Sequence, residues 1–570
     1  MILVPAERIA EYKARGWWSE QRFDDLLLAH AARTPEAEAL VDPPNLPEIS
    51  GLAPQRLSWG EVAEAVRRRA ALLHAEGLGK DDVVIVQLPN SVEQTLLYLA
   101  CWRLGVIVSP VPAQYRLNEL SGIARRVDAK AAITTARIGR HAHGATMLEL
   151  QRQIPSLRRV FIEGEAEAPG IALGASLAAL DAAALAAGDR AAAEAGVCAD
   201  DVATICWTSG TEADPKGVPR SHNEWIVVAG GCIAAAHLAP AARVLNPFPM
   251  VNMAGMTTGL VTWLATGGTL VQHHPFDLQV FLAQLRDEEI DYTVGAPPLL
   301  NTLLNNRELL AGVNFDRLKR IGSGAAPLSE HMVRGFQEQF GVHIINLFGS
   351  NEGACFAATE IDVPDAAVRA VCFPRLPMDG VQWEYAWADR IETRLVDVDT
   401  EEEVRIAGHP GELRVRGPTV FSGYWRAPDI TARAFDADGW FKTGDLFEIT
   451  GPDDRFFRFV GRHKDIVIRG GMNISANEIE NHLLDHPLVA DVAVIGWPDP
   501  DMGERLCACI VSREPGLSLA ELNRFLTEEK QVAVFKQIER LQLMTDLPRN
   551  PVGKVLKREL RAQATQGEAP

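Results

Sequence analysis

Cysteine is scarce and scattered in this 570-residue chain: eight in all, with no C-x-x-C pair, Cys507 and Cys509 being the closest two. That spacing argues against a disulfide-stapled secreted fold or a zinc framework and fits reduced, mostly buried thiols of a cytoplasmic protein. Long apolar runs are missing as well. None approaches the ~20 residues a membrane span needs, and the start, MILVPAERIAEYKARGWW, lacks the basic-then-apolar pattern of a secretory leader. Positive charge is also short: 56 Lys and Arg face 75 Asp and Glu, a formal net charge of −19. Nucleic acid and anionic membranes both want a basic face, so neither is an expected partner. There is no internal repeat, no heptad pattern, and no Gly-x-x-x-x-Gly-Lys-Ser/Thr phosphate loop.

What is present is an ordinary globular composition, 47% hydrophobic and 23% charged, in a chain too long for one core. DDVVIVQLPN (81–90) reads as a buried strand. SVEQTLLYLACWRLG (91–105) follows as an amphipathic helix capped by Ser91 and stopped by Gly105, and VIVSPVPAQ (106–114) reads as the next strand. The same rhythm returns at RVLNPFPM, GGTLVQHHPF, DYTVGAPP, LKRIGSGAAPLS and VHIINLFGS. An α/β fold with mostly parallel sheets is expected, with ligands at the carboxyl ends of strands. The alanine-rich stretch 172–196 reads as surface helices and a linker. From Gly408 the texture turns to glycine-punctuated short strands, and after GRHKD it returns to α/β. The expected organisation is a large domain over 1–460 whose β-rich, barrel-like part covers about 385–460, a hinge at 461–464, and a small mobile α+β domain over 465–570.

Several loops carry residues suited to phosphate chemistry. TSGTEADPKG (208–217) mixes hydroxyls and glycines, whose backbone N–H groups can wrap phosphate oxygens, with Lys216 as a point charge. In IGSGAAPLS (321–329), Pro327 stands where a dinucleotide fingerprint has its third glycine. LFGSNEGA (347–354) places Glu352 in a glycine-rich turn after a strand, a plausible Mg²⁺ ligand. WFKTGDL sets Asp445 after a glycine, suited to ribose hydroxyls, and LPRNPVGKVLKREL carries Lys554 in a Gly-Lys turn before a basic helix. Each motif alone is explained equally well by a turn or a solvated side chain.

Their order decides. TSGTEADPKGV, LFGSNEG, WFKTGDL, GRHKDIVIRGGMNISANEIE and LPRNPVGKVLKREL, in that sequence, resemble the core motifs of the adenylate-forming superfamily, from about Phe23 to about Leu560. That superfamily includes acyl- and aryl-CoA ligases, adenylation domains of non-ribosomal synthetases, and luciferases. The resemblance implies that a carboxylate attacks the α-phosphate of ATP, giving an acyl-adenylate and pyrophosphate, and that a CoA thiol then takes the acyl group and releases AMP. It implies a phosphate loop of Thr208, Ser209, Gly210, Thr211 and Lys216, and an adenine site of Gly324, Ala325, Ala326, Pro327, Phe348 and Gly349. Asn351 would donate to a phosphate oxygen, Glu352 would bind Mg²⁺, and Asp445 and Arg462 would hold the ribose. Lys554 would meet both the carboxylate and the α-phosphate. Lys464 would be the hinge, and Gly470 and Gly471 would help form the CoA tunnel.

For the acid, the resemblance implies a pocket drawn from Trp225, Val251, Asn252, Met253, Ser323, Gly324 and Cys355. These are mostly apolar or small, so a hydrophobic monoacid is expected. Glu212 and Ala213 stand where the family usually has threonine and glycine, Asn351 replaces a threonine, and Asn252 replaces a histidine. These departures keep a non-catalytic nucleotide-binding descendant open beside the CoA ligase. No carrier domain follows Leu560, so the other alternative is a stand-alone enzyme that loads a separate acyl carrier protein. Oligomeric state is not readable from the sequence, and a homodimer is entertained only by analogy with relatives.

Overall fold

The helix Val92–Arg103 shows how the chain is organised. Ser91 caps it, its hydroxyl accepting from the Gln94 N–H at 3.2 Å, and it lies between the strands Val83–Gln87 and Ile107–Pro110. Gly105 follows with φ +74°. The spacing predicted an amphipathic helix, yet every residue from Val92 to Trp102 is buried. The reason is two-sided packing. The Gln272 amide on one sheet donates to Thr95 at 2.8 Å, and the Trp102 indole donates to Ala203 on another at 2.9 Å. A helix held between two sheets has no face left for water.

The computed structural model describes residues 1–208, 215–324, 328–385, 389–462, 465–469, 472–499, 502–530, 532, 534–550 and 553–566. Among the described residues, the two sheets have seven and eight strands. In the first, six parallel strands end in the antiparallel pair Val202–Trp207 and Gly217–Ser221. The second has a parallel interior, with Arg56–Ser58 and Cys355–Ala358 as antiparallel edges. A third, antiparallel sheet runs from Cys372–Pro374 at one edge, through Phe456–Arg462 and Phe441–Thr450, to Glu403–Val404 at the other. The protein thus has an α/β fold with a large, mostly parallel N-terminal part. No helix among the described residues is long and apolar enough to cross a membrane.

Sheet membership changes after Arg462. Ile466–Arg469, Met472–Ser475, Val489–Asp499, Gly503–Ser512 and Arg540–Met544 form a sheet of their own, with its own core around Val467, Ile479, Val494 and Leu506. The alanine-rich stretch is more integrated than a linker. Its helix Ala182–Glu194 packs so closely on the helix Trp59–Ala75 that a Cβ on Gly188 would sit 2.6 Å from the Ala71 Cα. Small residues there serve close helix approach.

Candidate active site

The phosphate-type loop springs from the end of a β-ladder. Trp207 pairs with Gly217, and just beyond, the Thr208 N–H donates to the Lys216 carbonyl at 3.0 Å while the Thr208 hydroxyl accepts from the Lys216 N–H at 3.2 Å. The ladder therefore sets where Lys216 leaves the sheet. Its ammonium lies 5.3 Å from the centroid of the Tyr424 ring, within cation–π range. Ser209, Gly210 and Thr211, with Glu212 and Ala213, lie outside the described residues, as do Ala325, Ala326, Pro327, Lys464, Gly470 and Gly471.

Glu352 sits in the turn between the antiparallel strands His343–Gly349 and Cys355–Ala358. The turn closes through Ser350 N–H to Ala354 C=O and Gly353 N–H to Ser350 C=O, each 3.0 Å. Gly353 has φ +100°, and a Cβ there would lie 1.8 Å from the Thr419 carbonyl, so only glycine fits. Behind the turn, the fully buried Arg220 donates to the Asn351 carbonyl at 3.3 Å and to the Glu224 carbonyl at 3.1 Å. The Glu352 carboxylate accepts from the Tyr424 hydroxyl at 2.8 Å. The Asn351 side chain is engaged inside the protein at both ends. Its oxygen accepts from the Met253 N–H at 2.8 Å, and its nitrogen donates to the Trp207 carbonyl at 3.2 Å. It thereby braces three cleft-forming segments against one another.

Asp445 and Arg462 are paired across the ladder of the antiparallel sheet, with an ion pair of 3.0 Å. Burial pushes the Asp445 carboxyl above its ordinary value, the Arg462 and Lys554 charges pull it down, and Glu352 pushes it up. Lys554 closes a turn of the small C-terminal unit. The Asn550 side chain accepts from its N–H, and its carbonyl accepts from the Asn550 N–H, both at 2.8 Å. Phe348 is half-buried among Phe356, Phe373, Phe447 and Phe459, with ring centroids 5.3–6.1 Å away. Gly324 ends its strand so close to the next that a Cβ would meet the Leu347 carbonyl at 2.0 Å.

These side chains share one cleft of about 1900 Å³. Thr208, Lys216, Asn252, Met253, Phe348, Gly349, Asn351, Glu352, Asp445, Arg462 and Lys554 all line it. The residues expected around the acid divide. Asn252 and Met253 are on the wall, and the Asn252 oxygen also caps the short helix after it by accepting from the Gly255 N–H at 3.4 Å. Trp225 is instead in the packed interior, its indole donating to the Thr204 hydroxyl at 2.9 Å beneath the Arg220 guanidinium. Val251 is buried, and Ser323 is fully buried with its hydroxyl donating to the Gly295 carbonyl at 2.8 Å. Cys355 is half-buried at a strand start, and burial pushes its thiol up to about 11. Interior helix and strand faces claim these side chains, which periodicity alone cannot tell from pocket wall.

The AMP-binding enzyme family model matches residues 27–425, and that of the AMP-binding enzyme C-terminal domain matches residues 478–554. The chain belongs to the AMP-binding enzymes. Within the adenylate-forming ligases it is similar over nearly its whole length to proteins of different activities. It is 31% identical over 560 residues to pyochelin synthase PchD of Pseudomonas aeruginosa, covering 98% of this chain and 95% of that one. It is 29% identical to the medium-chain fatty-acid–CoA ligase of Escherichia coli, covering 97% and 92%. It is also 29% identical to a salicyl-AMP ligase / salicyl-S-ArCP synthetase of Mycobacterium tuberculosis, covering 99% and 94%. Among solved structures, ATP-bound MatB from Rhodopseudomonas palustris superposes with a TM-score of 0.78 at 25% identity, covering 95% of this chain and 99% of that one.

Two residues of this adenylate-forming enzyme escape a reading of motifs, one on the cleft wall and one buried behind the Glu352 turn. Tyr424 lies in a stretch whose glycines and aromatics signalled only short strands, and Arg220 looks like an ordinary strand residue. A buried arginine has a role only once its partners are known.

Proposed function

We propose that the enzyme joins a hydrophobic monocarboxylic acid to the α-phosphate of ATP, giving an acyl-adenylate and releasing pyrophosphate, and then passes the acyl group to the thiol of CoA, releasing AMP. The observation that carries this reading is the convergence of Lys216, Glu352, Asp445, Arg462 and Lys554 on one cleft. Two anions must meet for adenylation, and fixed positive charges offset their repulsion. In this reading Lys216 faces the β- and γ-phosphates, Asp445 accepts from the ribose hydroxyls, and Arg462 both neutralises Asp445 and contacts the ribose. Phe348 stacks on adenine. Lys554 stabilises the negative charge that develops between the carboxylate and the α-phosphate.

A magnesium ion fits this site. Among the described residues no group of three or more His, Cys, Asp or Glu could hold a metal by itself. Mg²⁺ commonly binds through one or two carboxylates plus substrate phosphates and water, and Glu352 offers one carboxylate to the cleft. When bound there it would neutralise phosphate charge. Asn252 and Met253 are the wall residues that the acid would touch, so an apolar body with one polar substituent suits the site. The small C-terminal unit, which brings Lys554, would turn about Lys464 after adenylation and bring Gly470 and Gly471 to the thiol.

A carrier protein is the second acceptor considered, because a CoA ligase and a carrier-loading synthetase are equally similar to this chain. Pyrophosphate release with Mg-ATP and a panel of hydrophobic acids, each with and without CoA, separates the readings. Acid-dependent turnover that needs CoA supports the ligase. Release limited to about one equivalent despite CoA favours a carrier protein. No release with any acid, despite ATP binding, sinks both.

A further inference from the structure

Between Thr419 and Trp425 the chain forms neither helix nor strand, yet it is tied to the two elements that carry Lys216 and Glu352. The Phe421 N–H donates to the Glu352 carbonyl at 2.9 Å, and the Trp425 N–H donates to the carbonyl of Gly217, the neighbour of Lys216, at 2.8 Å. The Thr419 carbonyl occupies the space that a side chain at Gly353 would need. From behind, the Thr431 hydroxyl accepts from the Tyr424 N–H at 2.9 Å, and the Trp18 indole donates to the Pro418 carbonyl at 3.2 Å. The strap is therefore fixed on its outer side and faces the cleft with Tyr424.

Tyr424 touches both charged groups. Its hydroxyl donates to one Glu352 carboxylate oxygen at 2.8 Å, and its ring lies 5.3 Å from the Lys216 ammonium. A hydrogen bond to an ionised oxygen is among the stronger ones and fixes the rotation of the carboxylate, leaving the second oxygen for the cleft. The aromatic face attracts the ammonium without neutralising it, as a carboxylate partner would.

We propose that Tyr424 is a positioning residue. It sets the Glu352 carboxylate and the Lys216 ammonium relative to each other, so that a divalent cation and the ATP phosphates would be met together. This rests on the reading above that Glu352 meets the metal and Lys216 the phosphates. Tyr424 acts through these two residues and need not touch the reacting atoms.

Equilibrium binding of ATP, measured by calorimetry with Mg²⁺ and with the metal chelated, tests this without knowledge of the acid. Tyr424→Phe keeps the ring and loses the hydroxyl. It should weaken Mg-ATP binding about fivefold, the size expected for one charge-assisted hydrogen bond that water partly replaces, and leave metal-free ATP binding unchanged. Tyr424→Leu loses the ring as well and should weaken both. In a Glu352→Gln background, Tyr424→Phe should have no further effect on the Mg²⁺ dependence. Wild-type Mg-ATP affinity in Tyr424→Phe overturns the proposal. So does equal weakening with and without metal, or full additivity with Glu352→Gln. If the unsubstituted protein binds ATP no better with Mg²⁺ than without, the reading of Glu352 falls and the proposal with it.

Discussion

Two lysines line the same cleft, and they are held in different ways. Lys216 leaves a β-ladder whose register continues into the sheet behind it, through Trp207–Gly217 and Ile205–Pro219. Lys554 closes a short turn, held by Asn550 and an isolated bridge between Arg549 and Val555, in a unit with a separate core. The small unit meets the large one through local contacts such as the Ser475 hydroxyl donating to the Val460 carbonyl. A group fixed by many shared strand bonds stays put. A group fixed by a turn in a separately cored unit goes wherever that unit goes. On the proposed function, Lys216 is then a permanent part of the cleft and Lys554 an exchangeable one, and the variants below test that difference.

Lys554→Ala should give the largest effect, with acid-dependent pyrophosphate release falling about 10²–10³-fold, as for loss of one group facing developing charge. ATP affinity by calorimetry should change far less. Equal losses in both would mean that Lys554 is a ground-state binding residue. Lys216→Ala should lower the same rate roughly thirtyfold, chiefly through weaker ATP binding. A loss confined to the rate of the bound complex would reverse the roles of the two lysines.

Acid should act on the ladder side through a buried histidine. His222 follows the strand directly, is buried against Phe23, and accepts from the Phe23 N–H at 3.4 Å, and burial pushes its imidazole down to about 3. The unfolded chain therefore takes up a proton below about pH 6.5 that the folded chain refuses. Stability from this group is complete above that pH and falls as pH drops toward about 3, by about 1.4 kcal/mol per unit. Chemical denaturation between pH 7 and pH 5 should show a slope to which His222 contributes beside other histidines that burial pushes down, His274 among them, and His222→Gln should flatten it by about one proton. An unchanged slope would place the acid sensitivity elsewhere.

The smallest effects compare the two anchors directly. Asn550→Ala removes the side chain that holds the Lys554 turn and should slow adenylation about fivefold, the equivalent of one hydrogen bond. Thr208→Val removes the hydroxyl that accepts from the Lys216 N–H but leaves the ladder intact, so about twofold is expected. A larger effect from Thr208→Val would show that the ladder does not fix Lys216.

The strand–helix–strand unit from Val83 to Pro110 was legible because short apolar runs, a serine cap and a glycine stop act locally. The charged candidates Lys216, Glu352, Asp445, Arg462 and Lys554 were legible for a related reason. Each sits beside a glycine or in a turn, where a charge has few structural uses. The acid-side residues were less so. Trp225 and Ser323 have the same residue types as a pocket wall, and their burial depends on which elements pack against them.

By itself, then, the sequence determined the alternation of strands and helices, the caps and turns, and the set of charged groups with their order along the chain. These follow from interactions within a few residues. Only the tertiary structure decided that the helix at Val92 would be buried on every side, that Arg220 would stand behind the Glu352 turn, and that Tyr424 would join Glu352 to Lys216 across 72 residues on one side. Those contacts depend on how sheets and straps pack, and packing is a property of surfaces that meet only in the folded chain.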